Sequence, residues 1–212
     1  MSADLIAAIT DPMVRDLANR GSIRSFPKNT VIINEGDRGE SMFVVLSGKV
    51  KVYVSDDGGR EMILDIYGAG DYVGEMSLDG RPRSASVMTL EPTICAVVTR
   101  SALKDAVASS PDFAMKLIDT LIERARIATD NVKNLALMDV YGRVARLLLS
   151  LAKEQPDGKL VVPERMTQQD IADRVGASRD MISRIFKDLT VGGYVTVVDR
   201  VITINRKPPA RW

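Results

Sequence analysis

The segment Met166–Thr203 restricts the possible folds more than any other part of the chain. Thr167 stands just before Gln168-Gln169-Asp170, a hydroxyl cap with an acid three residues on, which marks the start of a helix. Ile171, Ala172 and Val175 follow on one inner face, and Gly176 falls where the chain must turn sharply, a conformation glycine reaches at little steric cost. Ser178 is placed to cap a second helix with Met181, Ile182, Ile185, Phe186 and Leu189 as its apolar positions. Arg179, Asp180, Ser183, Arg184 and Lys187 fall on its other face. After Gly192-Gly193 two β-prone runs, Tyr194–Val198 and Val201–Ile204, flank Asp199-Arg200 as a hairpin. Helix, sharp turn, helix and hairpin wing, in that order, specify a winged helix-turn-helix.

The chemistry of the second helix suits a DNA major groove, where such a helix offers its early residues to base edges. An arginine fork bonds guanine O6 and N7, and a carboxylate accepts from cytosine N4. Arg179 and Arg184 are the guanine candidates, Asp180 the cytosine candidate and Lys187 a phosphate contact, with Thr167, Gln168, Ser178 and Ser183 at the helix starts and on the same face. For any one of these charges a solvated helix face is an equal alternative. The double-stranded DNA reading rests on all the parts occurring together.

Upstream the pattern changes twice. From Ile23 to about Val98 short β-prone runs (Thr30–Ile33, Ser41–Leu46, Lys49–Val54, Met62–Ile66 and two more within Ser84–Thr99) alternate with turn signals such as Asp56-Asp57-Gly58-Gly59 and Gly68-Ala69-Gly70-Asp71. That predicts an antiparallel sandwich or barrel. From Pro111 to Leu137 no further Gly or Pro occurs, and Leu117, Leu121, Ala125, Ala128, Val132 and Leu135 recur every three or four residues. They form one seam of a long helix. The seam could cover its own β-domain or a second copy, and small Ala125 and Ala128 favour close helix–helix approach. Met138-Asp139 reads as a hinge before another helix, with Val140, Val144, Leu147, Leu148 and Leu151 on one side, ending near Gln155-Pro156-Asp157-Gly158. The predicted domains are residues 1–110, 111–137 and 138–212.

Composition excludes several function classes. With 45% apolar and 27% charged residues the chain is an ordinary globular one. Residues 1–137 hold 16 Lys/Arg against 19 Asp/Glu, while residues 138–212 hold 13 against 9. Only the back part is basic, as a polyanion partner requires. There is no histidine and one cysteine, Cys95, which argues against metal, haem and iron–sulfur sites and against a histidine-based catalytic relay. No apolar run is long enough to span a bilayer. The expectation is a cytoplasmic protein that is not an enzyme.

A second informative stretch is Gly74-Glu75-Met76-Ser77-Leu78-Asp79-Gly80-Arg81-Pro82-Arg83-Ser84-Ala85. Gly74 permits close backbone approach, Glu75 can accept from a sugar hydroxyl, and Arg83 can pair with a phosphate while Ser84 donates beside it. Taken alone, an Arg–Glu pair in a polar loop explains these residues equally well. The stretch is similar to the cyclic-nucleotide phosphate-binding cassette. Together with Asn134–Ala145 and the helix-turn-helix, it resembles the bacterial catabolite activator protein (cyclic AMP receptor protein) and fumarate-nitrate regulator family of transcriptional regulators.

The resemblance implies an α+β fold: an N-terminal antiparallel β-roll that binds a cyclic nucleotide, a long dimerisation helix, and a C-terminal winged helix-turn-helix. It also implies a homodimer on a palindromic site, contact with RNA polymerase, and a ligand site made of Gly74, Glu75, Met76, Arg83, Ser84, Arg124, Ala128 and Thr129. The loop from Glu75 to Arg83 is shorter than in the family's cyclic-AMP pattern, and Ala128-Thr129 replaces a Thr-Ser pair that contacts adenine. Ala128 cannot hydrogen-bond an exocyclic amine. Cyclic AMP is the favoured effector, with cyclic di-GMP or ligand-independent action as alternatives. The reading from a different class is a nucleotide-sensing subunit acting on a protein partner.

Overall fold

The computed structural model describes residues 2–208. The chain divides into two compact units: one holds the residues up to Val54 with Ile63–Ala125, the other Ser55–Met62 with the residues from Arg126 on. The first unit opens with α1 (Ser2–Ala7) and α2 (Pro12–Asn19), the latter capped by Asp11, whose carboxylate accepts from the Met13 and Val14 N–H groups. Strands β1 (Ser22–Phe26), β2 (Val31–Ile33), β3 (Ser41–Ser47), β4 (Val50–Ser55), β5 (Glu61–Tyr67) and β6 (Tyr72–Val73) follow. A short 3-10 turn, Glu75–Asp79, leads to β7 (Ser86–Thr89) and β8 (Thr93–Thr99). They form two four-stranded sheets, ordered β1-β8-β3-β6 and β2-β7-β4-β5.

The first sheet is covered on both faces. Along β3, Met42, Val44 and Leu46 enter a core shared with the helices, whereas Phe43 and Val45 meet Val50, Val87 and Cys95 between the sheets. Burial on both sides is why this strand reads as an unbroken apolar run instead of alternating. Helix α3 (Arg100–Ser109) and the start of α4 (Pro111–Leu137) close the helical side through Leu103, Ala106, Phe113 and Leu117. The helical region therefore begins at Arg100, before the predicted Pro111.

Burial of Leu117 removes the first position of the predicted seam. Phe113 and Leu117 turn one face of α4 into the core of the first unit. Leu121, Ala125, Ala128, Val132 and Leu135 of the predicted seam stay exposed, and a second exposed row spaced alternately by three and four runs through Met115, Ile118, Ile122, Ala125, Thr129, Val132 and Ala136. Among the described residues, no helix is long and apolar enough to cross a membrane.

The second unit is built on α5 (Val140–Leu151), capped by Asp139, and on α6 (Gln168–Val175) and α7 (Arg179–Val191). Its sheet is ordered β11-β12-β10-β9, from β9 (Lys153–Glu154), β10 (Leu160–Val162), β11 (Val195–Val198) and β12 (Val201–Ile204). Helix α5 stops at Leu151, short of the predicted end near Gln155. Lys153–Glu154 pairs with β10 instead, and Gln155–Lys159 is the turn between them, closed by Gln155 N–H on the Lys159 carbonyl at 2.8 Å. Val144 and Leu148 of α5, Ile171 and Ala172 of α6, Ile182 and Leu189 of α7, and Ile202 share one core. Each of the Val, Leu and Ile side chains contributes about 1.5–3 kcal/mol by leaving water.

Candidate functional site

The helix-turn-helix is locally determined. The Thr167 hydroxyl accepts from the Asp170 N–H at 3.1 Å and donates to the Asp170 carboxylate at 2.7 Å, and that carboxylate also accepts from the Thr167 N–H at 2.7 Å. This reciprocal cap starts α6 and occupies the Thr167 hydroxyl. Gly176 ends the helix in the left-handed region at φ 63°, so the chain swings directly into α7. Ser178 caps α7 by accepting from the Met181 N–H at 3.3 Å, and its own O–H stays available to donate.

Ile182, Ile185, Phe186 and Leu189 anchor α7 in the core, which leaves Arg179, Asp180, Ser183, Arg184 and Lys187 exposed along the opposite stripe. None of these five takes part in an ion pair or a side-chain hydrogen bond among the described residues. Met181, predicted as an inner position, is 41% exposed and lies with them. Its offset from Ile182 and Ile185 places it past the edge of the buried face. Gln168 is half-buried at the first position of α6.

In the first unit the cassette brings three charges together. Glu75 and Arg83 are only 4% and 8% exposed. Glu75 Oε1 pairs with Arg124 Nη1 at 2.6 Å, and Arg124 Nη2 donates to the Tyr72 carbonyl at 2.6 Å. The Arg124 guanidinium also lies over the Tyr67 ring, 4.5 Å from its centroid. Burial works against the charge of Arg124, but the adjacent Glu75 and the two tyrosines more than offset it, so its pKa rises. Burial also pushes up the pKa of the Tyr67 phenol.

Arg83 has no carboxylate at ion-pair distance among the described residues. Its Nη1 donates to the Gly74 carbonyl at 2.8 Å and its Nη2 to the Ser41 carbonyl at 2.5 Å. The other N–H groups of the fork are left for an anion. Burial lowers its pKa, with the Glu75 charge opposing. Gly74 adopts φ 88°, and a Cβ there would sit 2.8 Å from Arg83 Nη1. Exposed Met76 accepts a weak bond from the Ser84 hydroxyl at 3.4 Å. Arg124 is thus the ion-pair partner of Glu75, a role not anticipated from the sequence. Ala128 follows it one turn along α4, with Thr129 next.

Residues 23–110 match the cyclic nucleotide-binding domain and residues 142–208 the Crp-like helix-turn-helix domain. Over 202 residues the chain is 31% identical to the cAMP-activated global transcriptional regulator CRP of Salmonella typhimurium, covering 92% of this chain and 95% of that protein. The chain belongs to the CRP/FNR family of transcriptional regulators. This CRP-family chain is also 34% identical, over 184 residues, to the CRP-like cAMP-activated global transcriptional regulator of Mycobacterium tuberculosis, covering 85% of this chain and 82% of that one. Among solved structures it is similar to the c-di-GMP responsive global regulator CLP of Xanthomonas campestris, with a TM-score of 0.78 and 26% identity over 91% of this chain and 98% of that one. CRP-family membership makes it a transcriptional regulator with a cyclic nucleotide-binding domain and a helix-turn-helix DNA-binding domain. The reading as a subunit of a partner enzyme is set aside.

The CRP-family fold adds residues that the motifs did not single out. A Cβ on Gly39 would collide with the Arg83 guanidinium, so Gly39 shapes the cassette from a separate loop. At the wing, β11 and β12 are joined by Asp199 and Arg200 alone, at φ 49° and 64°. That two-residue turn is the type whose twist matches the strands, and it places Arg200 at the tip. A basic residue at a hairpin apex was the available signal.

Proposed function

We propose that this CRP-family regulator is a cytoplasmic homodimer that binds a two-fold symmetric DNA site under the control of cyclic AMP, and that it contacts RNA polymerase. The charge balance of the cassette carries the nucleotide reading. Buried Arg83 and half-buried Arg124 face one carboxylate, Glu75, so these three groups leave a single positive charge. A cyclic mononucleotide brings one phosphodiester charge to match it. In this reading Arg83 and Ser84 hold the phosphate, with Gly74 and Met76 allowing its approach. Glu75, oriented by Arg124, accepts the ribose hydroxyl, while Ala128 and Thr129 meet the purine. The identities to regulators described as cAMP-activated support it.

The exposed 3-4 spaced face of α4 supports the dimer, because a/d positions left open over three heptads are what a partner helix fills. Two copies present two α7 helices, with Arg179, Arg184 and Asp180 reading bases and Lys187, Ser178 and Ser183 on the backbone. Thr167 and Gln168 contribute at the start of α6.

A second reading, cyclic di-GMP as effector, draws on two observations. A structural relative is described as c-di-GMP responsive, and Ala128 lacks a polar atom for adenine. Calorimetry of the full chain with cyclic AMP, cyclic GMP and cyclic di-GMP separates the readings. Cyclic AMP binding at one molecule per protomer supports the first, and binding of cyclic di-GMP alone supports the second. If none binds more tightly than about millimolar, the regulator acts without a nucleotide.

A further inference from the structure

Helix α7 turns one large apolar side chain of its first turn away from its own core. Met181 is 41% exposed, and among the described residues it is neither part of the second unit's core nor packed against it. The residues around it in sequence behave differently. Ile182, Ile185, Phe186 and Leu189 are buried, and even Ala177, before the helix, packs against them. Successive residues of a helix stand about 100° apart, so Met181 lies about 60° around α7 from Arg184 and just under one turn before it. The exposed row at the start of α7 is therefore Arg179, Asp180 and Met181, with Ser183, Arg184 and Lys187 further along.

A helix in the major groove presents its first residues to base edges. In that position a thioether has little to offer polar partners. It donates no hydrogen bond and accepts only weakly, so it gains almost nothing from a phosphate oxygen or from the N–H and C=O groups of a base. The apolar group on the major-groove edges of the base pairs is the C5 methyl of thymine. An unbranched, polarisable side chain adapts readily to such a target, and a methyl group is what would take the Met181 thioether out of water.

We propose that Met181 is a specificity residue that reads a thymine methyl in each half-site, at a base pair next to the one contacted by Arg184. This rests on the reading of α7 as the base-reading helix and adds a base to it. Arg179, Arg184 and Asp180 select through hydrogen bonds, whereas Met181 selects through an apolar contact that no other exposed residue of the first turn can make.

The test uses the full chain. A preferred site is first selected from random duplexes, with each of the three nucleotides named above and with none. Each thymine of that site is then replaced in turn by deoxyuridine, which keeps every hydrogen-bonding group and lacks only the methyl. For wild type, anisotropy is expected to show one thymine per half-site whose replacement weakens binding about fourfold, the worth of one buried methyl-sized group. Met181→Ala is expected to bind thymine and deoxyuridine at that position alike, with the effects of all other replacements unchanged. Met181→Leu, still apolar, is expected to keep the preference. A change in DNA stiffness on losing the methyl would weaken wild type and Met181→Ala equally, so a preference that survives in Met181→Ala overturns the proposal. It is also overturned if no thymine in the selected site responds to loss of its methyl. If no sequence is selected under any condition, the base-reading role of α7 fails as a whole, and Met181 with it.

Discussion

Arg83 is held by carbonyl oxygens while the neighbouring carboxylate, Glu75, is taken by Arg124. A buried phosphate would therefore be the first full counter-charge at ion-pair distance from Arg83. Arg83→Leu is expected to cost about 3–5 kcal/mol of cyclic AMP affinity, the scale of removing one partner of a buried pair. Calorimetry checks this, and a loss under tenfold would place the phosphate elsewhere. Ala128→Thr is expected to gain about 0.5–1.5 kcal/mol for cyclic AMP, the net worth of one hydrogen bond. A neutral or harmful effect favours cyclic di-GMP, which needs that space. On the DNA side, Arg184→Ala is expected to cost about 1–3 kcal/mol on the cognate site and to flatten base preference at one position. Lys187→Ala is expected to weaken all sequences alike and to reduce the salt slope. Equal losses on cognate and random DNA for Arg184→Ala would move the base contact off that residue. Gly74, Glu75, Arg83 and Ser84 can be proposed from the sequence because they sit in one short stretch. The Ser41 carbonyl, Gly39 and the pairing of Arg124 with Glu75 cannot, because only the folded sheets and α4 bring them to the cassette.

Helix α4 shows what periodicity can and cannot tell. Its bounds, Pro111 and Leu137, were readable because nothing between them breaks a helix. Only its first seam position, Leu117, was misplaced, because apolar residues occupy two sides: Phe113 and Leu117 go into the core, while Met115, Ile118 and Ile122 stay exposed. A single 3.6-residue pattern does not distinguish a core stripe from a seam. Helix α3 was missed for a related reason, since Leu103 and Ala106 are its only buried apolar anchors. The two faces of α4 can be separated experimentally. Ile122→Glu puts like charges on the proposed seam without touching the core, so sedimentation should show monomer with little change in thermal stability. Leu117→Ala should do the opposite, costing about 2–5 kcal/mol of stability through a core cavity while the dimer persists at low temperature. A dimer that survives Ile122→Glu would place the interface on another face.

Across the whole molecule the charges are nearly balanced, at a net +1, yet the basic excess lies in residues 138–212. DNA affinity should accordingly fall steeply with salt even though the protein as a whole is almost neutral, because counterion release depends on the contacts made and not on net charge. Its dependence on pH should be the reverse. The chain has no histidine, the side chain that ordinarily titrates near neutrality. Its one cysteine, Cys95, is buried, and burial pushes the thiol up to about 12. The acidic groups with lowered pKa values are the carboxylates of Asp11, Asp56 and Asp157. For Asp11, burial acts to raise the value, but the N–H bonds from Met13 and Val14 and the nearby Lys116 outweigh it and hold the carboxyl below its usual 3.8. A carboxyl depressed in the folded state contributes stability that is fully present above its unfolded pKa and is lost as pH falls through the folded value. The acid limb should therefore lie below about pH 4, with α2 losing its cap as Asp11 protonates. Between about pH 6 and pH 7.5 both the melting temperature and the cognate-site Kd should stay flat, the latter within about twofold at constant ionic strength. Calorimetric melting and anisotropy across that window check it. A tenfold change in Kd there would overturn this expectation.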